Sequence, residues 1–588
     1  MYSKLTMQNT KKVDLVAQFK KENVNFSRIE RARSARSVVN AGLEAYTGTW
    51  GKAQKKHLLN RVLTGYSNKH LLDLDNLSLQ KSLDLIFTPE KQPGVPVNDY
   101  DHEITKEETE KQGHVYIEAG KEYAFAPEPN GSPWPRHTSH DSWLFRNMVQ
   151  QSTSIHWRMV FFLHNLLPAG KGSVKMLYQY YMTLFNTSFE TYKTTIHKIT
   201  LDPLMLDYLN LQHSQKNNPD ENYARELQEL FTVGKGPNSQ FTEEDVSEMA
   251  RLLVGWQFFV DSKNKLTGPI TNIFNDWNHD TEDKKFSAFY GNRVIKGRKG
   301  QDGKKELDEA IDMLFSTNEC ALYLSRRLYQ FFCYPIINEA VEKNIIEPMA
   351  DLLRKNNYEL MVPLRALLGS AHFYDASFYN SMIKSPLEYM FGFYKEFDMY
   401  LFNTSGGDIP KRFTDPLTAN FYKFRNLQWE MSNIGLNYTD PPSVSGWPAF
   451  YQAPVYDLFW INSDTIAKRA SSANGLAQWG AWVGSGDIKG NVHNQIDKIK
   501  FINTLKSPEN LDAVIDETVE RLLAAPISTK SKERIKMRVL GGNTNPSYYT
   551  QLYQNYMSKP TEENRNTLNH RLENLFGALF QMGEIHLF

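Results

Sequence analysis

Only two cysteines occur in 588 residues, Cys320 and Cys333, and their spacing makes neither a disulfide framework nor a metal site. Both stand in apolar helical sequence, where the thiol behaves as a small buried hydrophobe, and such sparing use fits a reducing compartment. A surplus of one charge is also missing. Lys+Arg and Asp+Glu both number 67, so the basic excess by which nucleic-acid binders attract phosphate is absent, and no nucleic-acid partner is expected. No apolar run approaches the roughly 20 residues of a bilayer span. The densest, Met159 to Leu163, is soon interrupted by His164 and Pro168. The N-terminus carries Lys4, Lys11, Lys12, Lys20 and Lys21 with no apolar stretch or cleavage site, so it reads as no signal peptide and the chain as cytoplasmic. Gly-x-Ser-x-Gly and His-Glu-x-x-His are both lacking, which removes the main sequence warrant for serine-hydrolase and zinc-peptidase chemistry.

What is present is helical. The length implies two or three packed units, and 41% hydrophobic with 23% charged residues is a globular composition. The most informative run is Pro219 to Gly234. Asn218 reads as an N-cap, Pro219 as the first helical residue, Glu221 as the capping-box acid, and Gly234 as the left-handed terminator. At about 100° per residue, Tyr223, Ala224, Leu227, Leu230 and Phe231 share one face. Glu221, Asn222, Arg225, Glu226 and Glu229 share the other, and Arg225 stands four residues from both Glu221 and Glu229, the spacing of an ion-paired ladder. Thr242 with Asp245 opens a second helix, on which Val246, Met249, Ala250, Leu253 and Trp256 recur. The loop between the two helices lacks the carboxylates of a calcium-binding EF-hand.

Along the chain, residues 1–87 read as an N-terminal helical region and 88–140 as a Pro-rich irregular excursion, with only Val115-Tyr-Ile117 hinting at a strand. Residues 141–400 read as a central helical core and 401–588 as a loop-rich, then helical, C-terminal region. Gly291 to Gly303 is a basic glycine-rich loop without P-loop order, better read as solvated. No fixed-period repeat and no sustained period-two alternation occur. The expected class is mainly α, a multi-helical globular protein with long irregular loop insertions.

Several colinear segments carry a family resemblance. They are His57-Leu-Leu-Asn60-Arg61, Phe161-Phe-Leu-His164-Asn165, Pro219 to Gly234, Phe241-Thr-Glu-Glu-Asp-Val246, Ala250 to Trp256, His279-Asp280, Arg326-Arg327-Leu-Tyr-Gln-Phe-Phe332, Lys384-Ser-Pro-Leu-Glu388, Pro441 to Pro448 and the closing Gly583 to Phe588. Together they resemble the bacterial family called "domain of unknown function 1800" from about His57 to Phe588. The resemblance implies a commonly exported protein, often encoded beside an alkaline-phosphatase-like hydrolase, which would be its candidate partner. It implies no assigned reaction. The chain departs from the family by lacking an export signal, and by carrying Leu166 where a second histidine often follows His164-Asn165.

These readings single out a candidate polar pocket. Glu226, mid-helix at the border of the two faces, is the candidate acid or base, because desolvation raises a carboxyl toward useful pKa values. His164 among apolar neighbours is either a core histidine or its partner, and His279-Asp280, on a turn-rich loop, could join them. Asn222, Arg225, Trp256 and Trp447 are candidate binding residues. Two residues on one loop do not define a metal site, so no cofactor is assigned, and a divalent ion is not supported by ligand spacing. The expected function is an enzyme, hydrolase-like in type, or a binder of a small polar or glycan-like ligand; 13% aromatic residues supply stacking surface. The rival expectation is a non-catalytic scaffold docking a partner through the 88–139 excursion.

Overall fold

Side-chain caps decide where the helices start. Ser78, Thr191, Asp202, Thr242, Thr317, Asn510 and Thr561 each accept a backbone N–H from the first turn that follows, satisfying donors that have no partner inside a helix. The computed structural model describes residues 33, 39–259, 267–404, 408–486, 490–545 and 547–588. The lysine-rich N-terminus and the helical reading before residue 39 lie outside the described residues, Arg33 excepted. The protein is 54% helical and 7% strand, a mainly α fold as the sequence pattern implies.

The helices that build the core and the sites are α1 (Lys52–Val62), α2 (Trp134–Val149), α3 (His156–Leu166), α4 (Val174–Thr187), α5 (Glu221–Glu226), α6 (Glu243–Leu253), α7 (Lys305–Phe315), α8 (Asn318–Phe332), α9 (Pro386–Phe397) and α10 (Leu511–Leu522). Every residue of α3 is buried, the signature of a helix enclosed on all sides. Its Arg158 is an ion trapped in that core. It pairs with Glu388 of α9 and lies 4.3 Å over the Phe331 ring of α8, because a buried charge persists only with a partner. Cys320 and Cys333 are both buried, with burial pushing their thiols up.

Strands are short and local. β1 (Trp256–Phe259) pairs antiparallel with β2 (Thr271–Phe274), with Trp256 opposite Phe274 and Phe259 opposite Thr271. β3 (Lys284–Lys285) pairs with β4 (Val294–Ile295), and β5 (Tyr400–Asn403), β6 (Ala481–Gly486) and β7 (Gly490–Gln495) form a sheet in the order β5-β7-β6. The hint of a strand at Val115–Ile117 is not realised. That segment is held by side chains instead, with Asn98 Nδ2 donating to the Ile117 carbonyl and Arg136 Nη2 to that of Val115.

The Pro-rich excursion is built into the fold. Tyr100, Ile104, Tyr123 and Ala126 join Val174, Phe413, Phe421, Tyr422, Val483 and Val492 in a second hydrophobic cluster. Tyr123 also donates to Ser139 of α2, which donates to Asp99.

Candidate functional site

The capped helix begins two residues later than its sequence suggests. Asp220, not Asn218, is the N-cap, accepting from the Asn222 amide at 2.9 Å. Asn218 instead closes a tight turn with Gln215, each amide donating to the other's carbonyl. After Glu226 the chain widens into a π turn over Leu227–Thr232, with Val233 N donating to Gln228 O five residues back. Gly234, at φ +83°, ends it as expected. The wider turn rotates the faces. Gln228 and Glu229 are buried and Leu230 is only partly so, the reverse of a regular helical wheel.

The ladder on this helix forms and is larger than its spacing implies. Arg225 pairs with Glu221 at 3.1 Å, Glu229 at 3.5 Å and Glu243 of α6 at 2.6 Å. Arg225 is thus committed to stitching α5 to α6, and Asn222 beside it is exposed. Glu226 is half-buried and takes no part in the network. Desolvation, then repulsion from Glu229, raises its carboxyl above the ordinary value.

His164 lies in a different network. Its Nε2–H donates to the Tyr438 carbonyl at 2.8 Å, which leaves Nδ1 to face the Tyr180 hydroxyl of α4, also at 2.8 Å. Burial drives its pKa down to about 4, with the Tyr438 carbonyl opposing. The ring is therefore a neutral core group. Trp447 packs edge-on against it at 5.3 Å and is buried. It plugs the core, and its backbone N–H donates to Asn165 Oδ1. Because the folded pKa lies below the unfolded value near 6.5, His164 costs stability as the pH falls from about 6.5 to 4, where the unfolded chain alone takes up the proton; the full effect is about 3 kcal/mol. His164→Gln, which cannot titrate, is expected to melt lower than wild type at about pH 7 and to close that gap by about pH 4. A gap independent of pH contradicts this assignment.

His279 and Asp280 lie in a third network, at the foot of the β1–β2 hairpin. α6 ends at Leu253, not at Trp256. Gly255, at φ +108°, turns the chain into β1, and a Cβ there would sit 3.1 Å from the Asn275 carbonyl. Trp256 is thus a strand residue, buried with its ring 4.9 Å from that of Phe274. His279 Nδ1 meets the Val254 carbonyl at 2.8 Å, and Nε2 meets Glu306 Oε1 of α7 at 3.1 Å. Lys284 donates to the other oxygen of Glu306 at 2.8 Å, and the Arg298 amide adds a further bond at 2.7 Å. The side chains of His279, Lys284 and Glu306 are all buried. Burial alone would raise the Glu306 carboxyl, but the bonds from His279 and Lys284 outweigh it and hold it below its usual value. Asp280 meets Arg251 of α6 at 2.8 and 3.2 Å and accepts from the Glu282 amide. In the basic loop, Lys296 and Arg298 are paired with Asp283 and Glu309, so those two cations do not present a bare phosphate cradle.

The sequence candidates are therefore distributed over three separate hydrogen-bond networks, with Glu226 outside all of them. Among the described residues, no group of three or more His, Cys, Asp or Glu side chains has a metal-holding arrangement.

The His279–Glu306–Lys284 cluster instead supports a groove just above it. The turn Asn275–Asn278 is pinned below by Asn275 N donating to Gly255 O and beside by Asn278, whose Nδ2 donates to Ser214 O and whose Oδ1 accepts from Lys216 N. Gln257 of β1 donates to the Gln212 carbonyl at 3.2 Å. Between the segment 212–217 and the hairpin lies a groove of about 480 Å³, lined by Gln212, His213, Gln215, Lys216, Asn217, Gln257, Asn275, Trp277 and Asn278. Trp277 is 78% exposed at its edge. The side chains of His213, Gln215, Lys216 and Asn217 make no hydrogen bond or ion pair among the described residues. The lining thus offers unpaired amides, an imidazole and an open indole face, with one cation and no carboxylate.

The sequence model of a family described as "Protein of unknown function (DUF1800)" matches residues 57–568. The chain belongs to the DUF1800 family. No curated protein and no solved structure matches it, so neither lends this DUF1800 chain a reaction or a ligand.

Sequence reasoning reached the edge of the groove without naming it. The turn Asn275-Asp-Trp-Asn278 was legible as turn-rich, and a tryptophan inside such a turn has little core to enter. The run Gln212 to Asn218 carries no periodicity, and its convergence with β1 depends on the Gln257 side chain reaching the Gln212 carbonyl, 45 residues away. In this DUF1800 protein the residues with a surface to offer are Trp277 and the side chains of segment 213–217, while His279 holds up the turn beside them.

Proposed function

We propose that the protein binds a neutral polyhydroxylated ligand, a saccharide or glycan segment, in the groove between residues 212–217 and the β1–β2 hairpin. The observation that carries this reading is Trp277, an open indole face in a groove where the Gln215 and Asn217 amides make no hydrogen bond among the described residues. A sugar ring presents C–H groups that pack on an indole face. Its hydroxyls both donate and accept, which matches amides that do the same. A groove of about 480 Å³ lies in the usual range for ligand sites. Phe259 and Ile273, exposed on the same hairpin, extend an apolar strip beside it.

The reading is of binding without hydrolysis at this groove. Glycosidic cleavage ordinarily uses two carboxyl groups flanking the bond, and the groove lining has none. Calorimetric titration of the full chain with neutral hexasaccharides of glucose, xylose and N-acetylglucosamine tests the proposal. Saturable binding of at least one supports it, and no heat from any of them, alongside binding of charged oligosaccharides, overturns it.

A further inference from the structure

Three segments far apart in sequence, around His57–Arg61, Lys384–Glu388 and Ile585–Phe588, meet beside α10. Between α1 and α10 they enclose a cleft of about 370 Å³, which adjoins a tight inner recess of about 50 Å³. Lys56 lines the cleft and Lys384 the recess, and Asn60 lines both. Lys56 donates only to backbone carbonyls, those of Glu520 at 2.6 Å and Leu523 at 3.3 Å. Lys384 donates to the Ile585 carbonyl at 3.1 Å.

The neighbouring acids are already taken. Glu388 holds Arg158 and Ser385; Glu396 holds Arg521 and the Asn68 amide; Glu520 pairs with Lys52, and Asp516 with Lys532. Two ammonium groups thus stand in a part-buried site with no carboxylate in salt-bridge contact, an expensive arrangement. Burial holds Lys56 at about 8, and burial with repulsion from Lys56 holds Lys384 at about 8. The Asn60 amide and the Tyr66 hydroxyl line the recess and make no hydrogen bond among the described residues. The paired acids Asp516 and Glu520 also line the cleft, and Glu388 and Glu396 the recess, while most of the remaining cleft wall is apolar, with Val519, Leu523, Pro526, Tyr379 and Phe588.

We propose that this cleft binds a small organic carboxylate with an apolar body, its head at Lys384, Lys56, Asn60 and Tyr66 and its body along the wall of α10. The carboxylate supplies the counterion both lysines lack, and the apolar wall selects against a bare inorganic anion. This inference does not rest on the saccharide groove.

Calorimetric titration of the full chain with octanoate, octan-1-ol and inorganic phosphate tests it. Octanoate is expected to bind at least about tenfold more tightly than either of the others, the worth of a charge-assisted hydrogen bond. Lys384→Met is expected to weaken octanoate about tenfold and leave octan-1-ol unchanged, and Lys384→Arg to restore octanoate binding. Should Lys384→Met fail to fold, Asn60→Leu, at a side chain with no partner to lose, is expected to weaken octanoate selectively. Equal binding of octanoate and octan-1-ol, phosphate binding as tightly, an unaffected Asn60→Leu variant, or no octanoate binding each overturn the proposal.

Discussion

Trp277→Ala is expected to weaken saccharide binding roughly thirtyfold while leaving the melting temperature of the protein unchanged. The two halves of that result have separate causes. The side chain is 78% exposed and packs against little, so its removal opens no cavity, and surface substitutions of this kind stay within about 0.5 kcal/mol. In the complex the same indole is the largest apolar surface the groove offers. Burying it under a sugar ring makes it a binding hot spot worth about 2 kcal/mol, roughly thirtyfold in affinity. Calorimetric titration beside a thermal melt checks both halves. Unchanged affinity would place the ligand elsewhere, and a large fall in Tm would make Trp277 structural.

Glu306→Ala is expected to have the opposite profile, with a large loss of stability and loss of groove binding as a consequence. Among the described residues Glu306 is the carboxylate that bonds both buried side chains, His279 and Lys284. Removing one partner of a buried ion cluster leaves the other charge unpaired, at a cost of about 3–5 kcal/mol. The damage reaches the groove because His279 anchors the C-terminal end of the turn that carries Asn275, Trp277 and Asn278. Glu306→Gln keeps the shape and an acceptor, so its cost is expected to be smaller. The pH dependence has a definite sign. The folded-state carboxyl lies below its ordinary value near 4.5, so its stabilisation is fully present above about pH 4.5 and disappears as the pH falls further. Chemical denaturation of wild type and Glu306→Gln across that window checks this: the difference between them should shrink on acidification. A constant difference would mean that Glu306 acts by packing alone.

These two residues also show which features of the protein can be read from its sequence. Local rules are legible. The cap at Thr242, the terminator Gly234 and the Arg225 ladder all follow from spacing within one or two helical turns, and the structure has each of them. The mainly α class follows from the same periodicity. Errors appear where a tertiary contact overrides a local rule. Asn218 looks like a cap until Gln215 takes its backbone, and Asp220 then caps instead. The face expected for Glu229 holds until the π turn shifts it inward. Trp256 continues the helical spacing of α6, yet Gly255 breaks the helix and starts a strand. The site is harder still. His164, Glu226 and His279 are each unusual in sequence, but the partners that decide their roles, Tyr438, Glu229 and Glu306, come from 274, 3 and 27 residues away. Only the third of these has a bearing on the groove, and it acts from beneath.

The central claim is that the amide-lined groove is where a neutral saccharide docks. Backbone hydrogen-exchange mapping of the full chain, with and without the tightest-binding neutral hexasaccharide, tests it directly. Ligand-dependent protection is expected at 211–217 and along the β1–β2 hairpin to Asn278. Protection confined to other segments, with these unchanged, would contradict it.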